Sequence, residues 1–149
     1  MEDAGIEEAE LATQRGDLID EVPYITVVID GSWMKRSNWT GKYDSLSGVG
    51  VIIGYCTGKV LFVGVRNKYC AICNRCTRER KEPTEHICYK NWDTARSSTS
   101  MEADAITEGF KCSVQQHGLI YSKVIADGDS SVYKNSGQQS VPECYDKED

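Results

Sequence analysis

The sequence predicts an α/β fold, a mixed sheet (α+β in character) with one helix crossing it. Three observations carry this reading. A β-branched run, Tyr24–Ile29, closes on Asp30-Gly31; two further apolar runs are joined by Thr57-Gly58; and a helical pattern after Ser97 leads into a last apolar run, Leu119–Ala126. A hairpin followed by a helical crossover gives antiparallel pairing first and a parallel strand afterwards.

Residues 1–22 read as an acidic N-terminal arm. Eight acids stand there against Arg15 alone, and IEEAELA has helical composition but a thin apolar stripe, so a mobile or weakly helical segment is expected. From Pro23 the period changes to that of a buried strand, Tyr24–Ile29. A polar loop over 36–48 precedes a second strand, Val49–Tyr55, and the Thr57-Gly58 turn returns the chain as Lys59–Val65. Residues 69–92 hold most of the cysteines and little apolar periodicity, which marks an insert held by something other than a core. Then Thr99 and Glu102 fit a capping box, Ala103, Ile106, Phe110 and Val114 fall on one helix face, and Gly118 stops the helix. Leu119–Ala126 is the fourth strand, expected parallel to the first. The domain so outlined spans 23–135, and 136–149 is an irregular acidic tail. The order βββ, zinc insert, α, β matches the opening of a ribonuclease-H-like fold, incomplete at the C-terminus, in which the first and fourth strands are neighbours and Asp30 would meet Asp127.

Composition limits the classes. A chain of 149 residues buries one core, and no apolar stretch reaches transmembrane length. The acidic start lacks the features of a secretory signal, so a soluble intracellular protein, not secreted and not membrane-bound, is expected. Seven cysteines, an odd number, argue for metal rather than a disulfide framework. The net charge of −6 hides a mildly basic middle: without the first 21 residues, 16 basic and 15 acidic side chains remain.

Carboxylates at the ends of strands distant in sequence are a means of assembling a Mg²⁺ site for phosphoryl transfer, with two ions held about 3.5–4 Å apart. Asp30 is placed for that role. In the second group Asp127 directly follows the strand, whereas Asp129 could equally cap a helix starting at Ser130; Asp127 is the preferred ligand. The competing reading is that Asp-Gly at both strand ends is turn chemistry.

Cys70 and Cys73 in Cys-x₂-Cys spacing, followed by His86-x-Cys88, supply a full tetrahedral set for structural Zn²⁺. Cys76 is a surplus thiol that could replace Cys73. A redox Cys-x₂-Cys is disfavoured because no helix is expected after it. Cys56, Cys112 and Cys144 show no ligand pattern, and His117 is expected to cap its helix or meet its dipole. Arg66, Lys68, Arg75, Arg78, Arg80, Lys81 and Lys90, interleaved with Tyr69, Tyr89 and Trp92, could meet a phosphate backbone and stack on bases.

The stretches VVIDGSWMKRS, SLSGVGVIIGYCTGKVL, VRNKYCAIC, HICYKNW, SSTSMEADAITEGF and HGLIYSKVIADGDSSVYK together resemble the Mutator-like transposase domain of animal transposon-derived proteins, over roughly residues 23–135. The resemblance implies a ribonuclease-H-like core of the DDE type, binding Mg²⁺ or Mn²⁺ through two aspartates and a glutamate during cut-and-paste DNA transposition. By position Asp30 is the first acid and Asp127 the second, with Asp129 beside it, and Cys70, Cys73, His86 and Cys88 match the metal-type insert. It further implies DNA at transposon ends as partner, room for a homo-oligomer, and a nuclear or other intracellular location. The departure is the third acid: Glu143 and Glu148 follow Asp127 too soon, so a truncated form without a complete active site is expected. Two functions are thus set against each other, a metal-dependent DNA strand-cleaving enzyme and a non-catalytic, zinc-stabilised module that binds nucleic acid or protein.

Overall fold

In chain order the computed structural model, which describes residues 1–33 and 46–126, has α1 (Glu2–Arg15), β1 (Leu18–Ile19), β2 (Val22–Trp33), β3 (Ser47–Gly54), β4 (Val60–Asn67), α2 (Ala71–Arg78), α3 (Ser98–His117) and β5 (Ile120–Ala126). The β-branched runs form one sheet. β2, β3 and β4 pair antiparallel, with Asp30 opposite Val51 and Gly50 opposite Gly64. β5 joins the other edge of β2 in parallel, from Tyr24↔Ile120 to Ile29↔Ala126. The fold is therefore mixed α/β, and α3 makes the crossover that a parallel pair requires. Of the polar loop expected over 36–48, residues 36–45 lie outside the described residues, and Ser47-Gly48 already pair in β3. The expected acidic tail, 136–149, also lies outside the described residues.

One face of the sheet is floored by small residues. A Cβ on Gly64 would come within 2.8 Å of the Ala105 Cβ, and one on Gly50 within 3.0 Å of the same atom, so the two paired glycines let α3 approach the backbone closely. That geometry chooses which helix face goes inward. Met101, Glu102, Ala105, Ile106, Gly109 and Ser113 are buried, whereas Val114 is 54% exposed, so the expected stripe of Ala103, Ile106, Phe110 and Val114 is rotated. Large side chains flank the contact instead, with Phe110 edge-on to Tyr121 at 5.4 Å between ring centres. Gly118 ends the helix in left-handed conformation as expected. His117 neither caps the helix nor merely meets its dipole; its Nε2 donates to the Leu61 carbonyl at 2.8 Å and ties α3 to β4.

The N-terminal segment differs from a mobile arm. Ala4, Gly5, Glu8 and Ala12 form a buried face of α1, narrow in hydrophobicity but small enough to lie close against the sheet. Glu8 Oε1 accepts from the Thr57 amide (2.9 Å) and hydroxyl (2.8 Å), which pins the helix to the β3–β4 turn, and Lys59 pairs with Glu7 at the same end. Asp20 and Glu21, both at positive φ, then turn β1 into β2 as a two-residue hairpin.

Ala105→Leu should push α3 off the glycine floor and lower stability by about 1–3 kcal/mol in chemical denaturation, while an exposed change on the same helix, Val114→Ala, should be close to neutral.

Candidate functional site

Residues 68–92 leave and rejoin the sheet at one point. Asn67 and Asn91 exchange bonds across it: the Asn67 amide donates to Asn91 Oδ1 (2.7 Å), and the Asn91 amide donates to the Asn67 carbonyl (3.0 Å). The Asn91 side chain also donates to the Val65 carbonyl at 2.9 Å, extending the end of β4. Just beyond, Arg96 stacks over the buried Trp92 ring at 4.1 Å. The insert thus stands on a short stalk of hydrogen bonds.

At its far end, Cys70, Cys73, His86 and Cys88 converge with all ligand atoms within 4.8 Å of one another. His86 Nε2 lies 3.3 Å from Cys70 Sγ and 3.4 Å from Cys73 Sγ, and Cys73 Sγ lies 3.8 Å from Cys88 Sγ. A tetrahedron with metal–sulfur bonds of about 2.3 Å has edges of about 3.8 Å, so the group fits Zn²⁺. The ring is oriented for this: Nδ1 is 2.6 Å from the Thr84 carbonyl, which can only accept, so Nδ1 carries the proton and Nε2 presents its lone pair.

The same crowding shifts the protons. A hydrogen bond from the Cys73 amide, and then those from His86 and the neighbouring thiols, lowers Cys70 to about 6. Its bond to Cys70, then burial, raises Cys73 to about 11, while the Thr84 carbonyl and then Cys70 raise His86 to about 9. A divalent ion at the group would favour the deprotonated form of each ligand atom.

Contrary to the expectation of no helix after Cys-x₂-Cys, α2 starts there with Cys70 as its N-cap. The convergence of His86 and Cys88 from the other strand of the insert, rather than the absence of a helix, is what favours metal over redox chemistry. Cys76 is buried on α2, away from the ligand group, which settles its place as a packing residue. Around the insert, Tyr69, Arg75, Arg78, Arg80, Lys81, Tyr89 and Lys90 are exposed. Three members of the expected basic and aromatic cluster are not free to meet a ligand. Lys68 and Trp92 are buried, and Arg66 is held by Asp104 (2.7 Å) and Glu108, whose hydrogen bonds outweigh the effect of burial and raise its pKa.

Asp30-Gly31 neither closes its strand nor forms a turn: β2 runs on to Trp33, and Asp30 lies within it opposite Val51, just past the last described β2–β5 pair. Asp30 is exposed, and its Oδ1 accepts from the Gly31 amide at 2.8 Å. The last described pair of the parallel ladder is Ile29↔Ala126, one residue before Asp30 and Asp127 in sequence. Asp127 and Asp129 themselves lie outside the described residues.

A further acid here escaped the sequence reading. Glu102, expected in a capping box with Thr99, does not cap α3, because the helix begins at Ser98 with Ser97 as N-cap and carries Glu102 into its second turn. There it faces β2, and a Cβ on Gly31 would fall on its carboxyl carbon. Burial first, and then the charge of Asp30, hold its carboxyl above the ordinary range. The available signal was its place between Met101 and Ala105-Ile106 in the inward stripe.

A family model described as Mutator-like transposase matches residues 1–144. The chain belongs to the Mutator-like transposase family. Comparison with curated proteins and with solved structures finds no match. The match to the Mutator-like transposases runs from α1 through the stalked insert to β5, so it embraces both the thiol–imidazole group and the Asp30 strand. No helix among the described residues is long and apolar enough to cross a membrane.

For the metal group, Cys73→Ser should abolish the one zinc expected per chain and unfold the insert, whereas Cys76→Ala should retain the metal; elemental analysis of protein purified without chelator distinguishes the two.

Proposed function

We propose that this chain performs the chemistry of a transposase catalytic core, divalent-metal-dependent cleavage and transfer of DNA strands, with Asp30 and Asp127 as carboxylate ligands. The observation that carries this is the parallel ladder between β2 and β5, whose last described pair, Ile29↔Ala126, immediately precedes those two acids. The arrangement βββ, insert, α, β with a parallel fourth strand supports a ribonuclease-H-like reading of the fold.

Asp30 suits a hard cation. Its side chain is short, it sits on a strand bonded on both sides, and the Gly31 amide fixes its Oδ1. When bound, Mg²⁺ or Mn²⁺ would polarise the phosphodiester and make water or a DNA 3′-hydroxyl a better nucleophile. The chain's own residues hold and orient. Asp30 fixes the reacting end of the sheet. The zinc-type insert, held by Cys70, Cys73, His86 and Cys88, presents Arg75, Arg78, Arg80, Lys81 and Lys90 to a phosphate backbone and Tyr69 and Tyr89 to bases. Transposon ends are the natural DNA partner, and the nucleus the natural place of action.

The exposed basic and tyrosine side chains of the insert also favour a second reading, in which the domain binds nucleic acid without cutting it. The two are separated by one experiment on the full chain with DNA bearing terminal inverted repeats. Catalysis predicts nicking that requires Mg²⁺ or Mn²⁺ and falls roughly a hundredfold or more in Asp30→Asn, the loss of several kcal/mol of transition-state stabilisation. Equal nicking by the variant and the wild type rules the catalytic assignment out; salt-sensitive binding with no product supports the second reading.

A further inference from the structure

Glu102 is an acid the fold does not need. It is only 9% exposed, on a helix face otherwise made of Met101, Ala105, Ile106 and Gly109, and among the described residues no hydrogen bond or cation reaches its carboxyl group. The nearest charge is Asp30, of the same sign. A carboxylate this enclosed, with a like charge beside it and no donor of its own, is unfavourable. A methionine like its neighbour Met101 would fill the position without penalty.

The local backbone, however, makes room for this carboxylate. Gly31 has no side chain, and the Glu102 carboxyl occupies the space that a Cβ there would take, directly beside the residue that follows Asp30. Arg66 of β4, which pairs with α3, is already shared by Asp104 and Glu108. What would satisfy Glu102 is a cation arriving from outside the chain, at a place where Asp30 presents a second carboxylate. Two carboxylates and no thiol or imidazole select a hard, oxygen-preferring ion.

We propose that Glu102 is a carboxylate ligand of a divalent-cation site that it shares with Asp30 of β2. This rests on the reading of Asp30 as a metal ligand and adds to it: the crossover helix contributes an acid to the site, so the carboxylate set does not depend solely on residues that follow β5.

The test uses the full, zinc-loaded chain and Mn²⁺ alone as probe, with free Mn²⁺ followed by electron paramagnetic resonance. Glu102→Gln should weaken Mn²⁺ binding at least about tenfold, and should raise the melting temperature of the Mn²⁺-free protein by removing a buried, repelled charge. Mn²⁺ should then stabilise wild type but not the variant. Wild-type affinity in Glu102→Gln together with lost affinity in Asp30→Asn would overturn the role of Glu102 and leave Asp30 standing. Unchanged affinity in both variants, or no binding by wild type, would overturn the underlying reading as well. A measurement on unsubstituted protein guards against a variant that fails to fold: substoichiometric Mn²⁺ should broaden the side-chain carboxyl carbon resonance of Glu102, and a sharp resonance at saturation of the site would overturn the proposal.

Discussion

A parallel ladder between the first long strand and the last cannot be closed by a turn, and most of this molecule follows from that constraint. β2 and β5 pair in parallel over Tyr24–Ile29, so the chain has to leave β4, cross a sheet face and re-enter on the far edge of β2. α3 makes that crossing. Its closeness to the sheet depends on Gly50 and Gly64 lying beneath Ala105, and that closeness in turn brings Glu102 down onto Gly31. Had the floor been valine, the helix would stand farther off and its second turn would not reach the end of β2.

The insert obeys a different rule. It contributes little to the main core, which gathers β2, β3, β4, α1, α3 and β5 around Val27, Ile52 and Ile106. A loop of this size has too little apolar surface to offset its ordering entropy, so it relies on its two ends and a local cross-link. The ends are joined by the Asn67–Asn91 bonds and the cross-link is the thiol–imidazole group. A metal held by that group would couple its own binding to the ordering of the insert.

β2 to β5 were legible because each is rich in Val and Ile, and the parallel partner followed from the helical connection; the two-residue β1, inside the expected acidic arm, was not. The ligand quartet was legible from spacing alone, because thiolate and imidazole donors at Cys-x₂-Cys and His-x-Cys have few other uses together. What stayed hidden depended on size rather than polarity. α1 buries alanine and glycine around a glutamate, a face that a hydrophobicity pattern scores as solvated. The inward face of α3 was misjudged for the same reason: pattern reading favours Val114, whereas the glycine floor admits Ala105 and Gly109. Arg66 and Lys68 looked like ligands for phosphate because sequence does not reveal that acids on α3 lie over Arg66 or that Lys68 is buried. The expected second acid, Asp127, lies outside the described residues.

Two buried glutamates on the same face of the sheet show the difference between an acid that builds the fold and one that does not. Glu8 lies over Gly54 much as Glu102 lies over Gly31, each filling the space of a missing side chain. Glu8 there receives two donors from Thr57 on Oε1, which fasten α1 to the β3–β4 turn, while its Oε2 is buried without a partner. Glu102 receives none, and its neighbour is another acid. The difference between them is the donor pair at the β3–β4 turn, which the Glu102 carboxyl lacks beside the exposed Asp30. Relief of the repulsion between Glu102 and Asp30 is one contribution that an arriving divalent ion would make, so a position can be unfavourable for folding and favourable for binding at once.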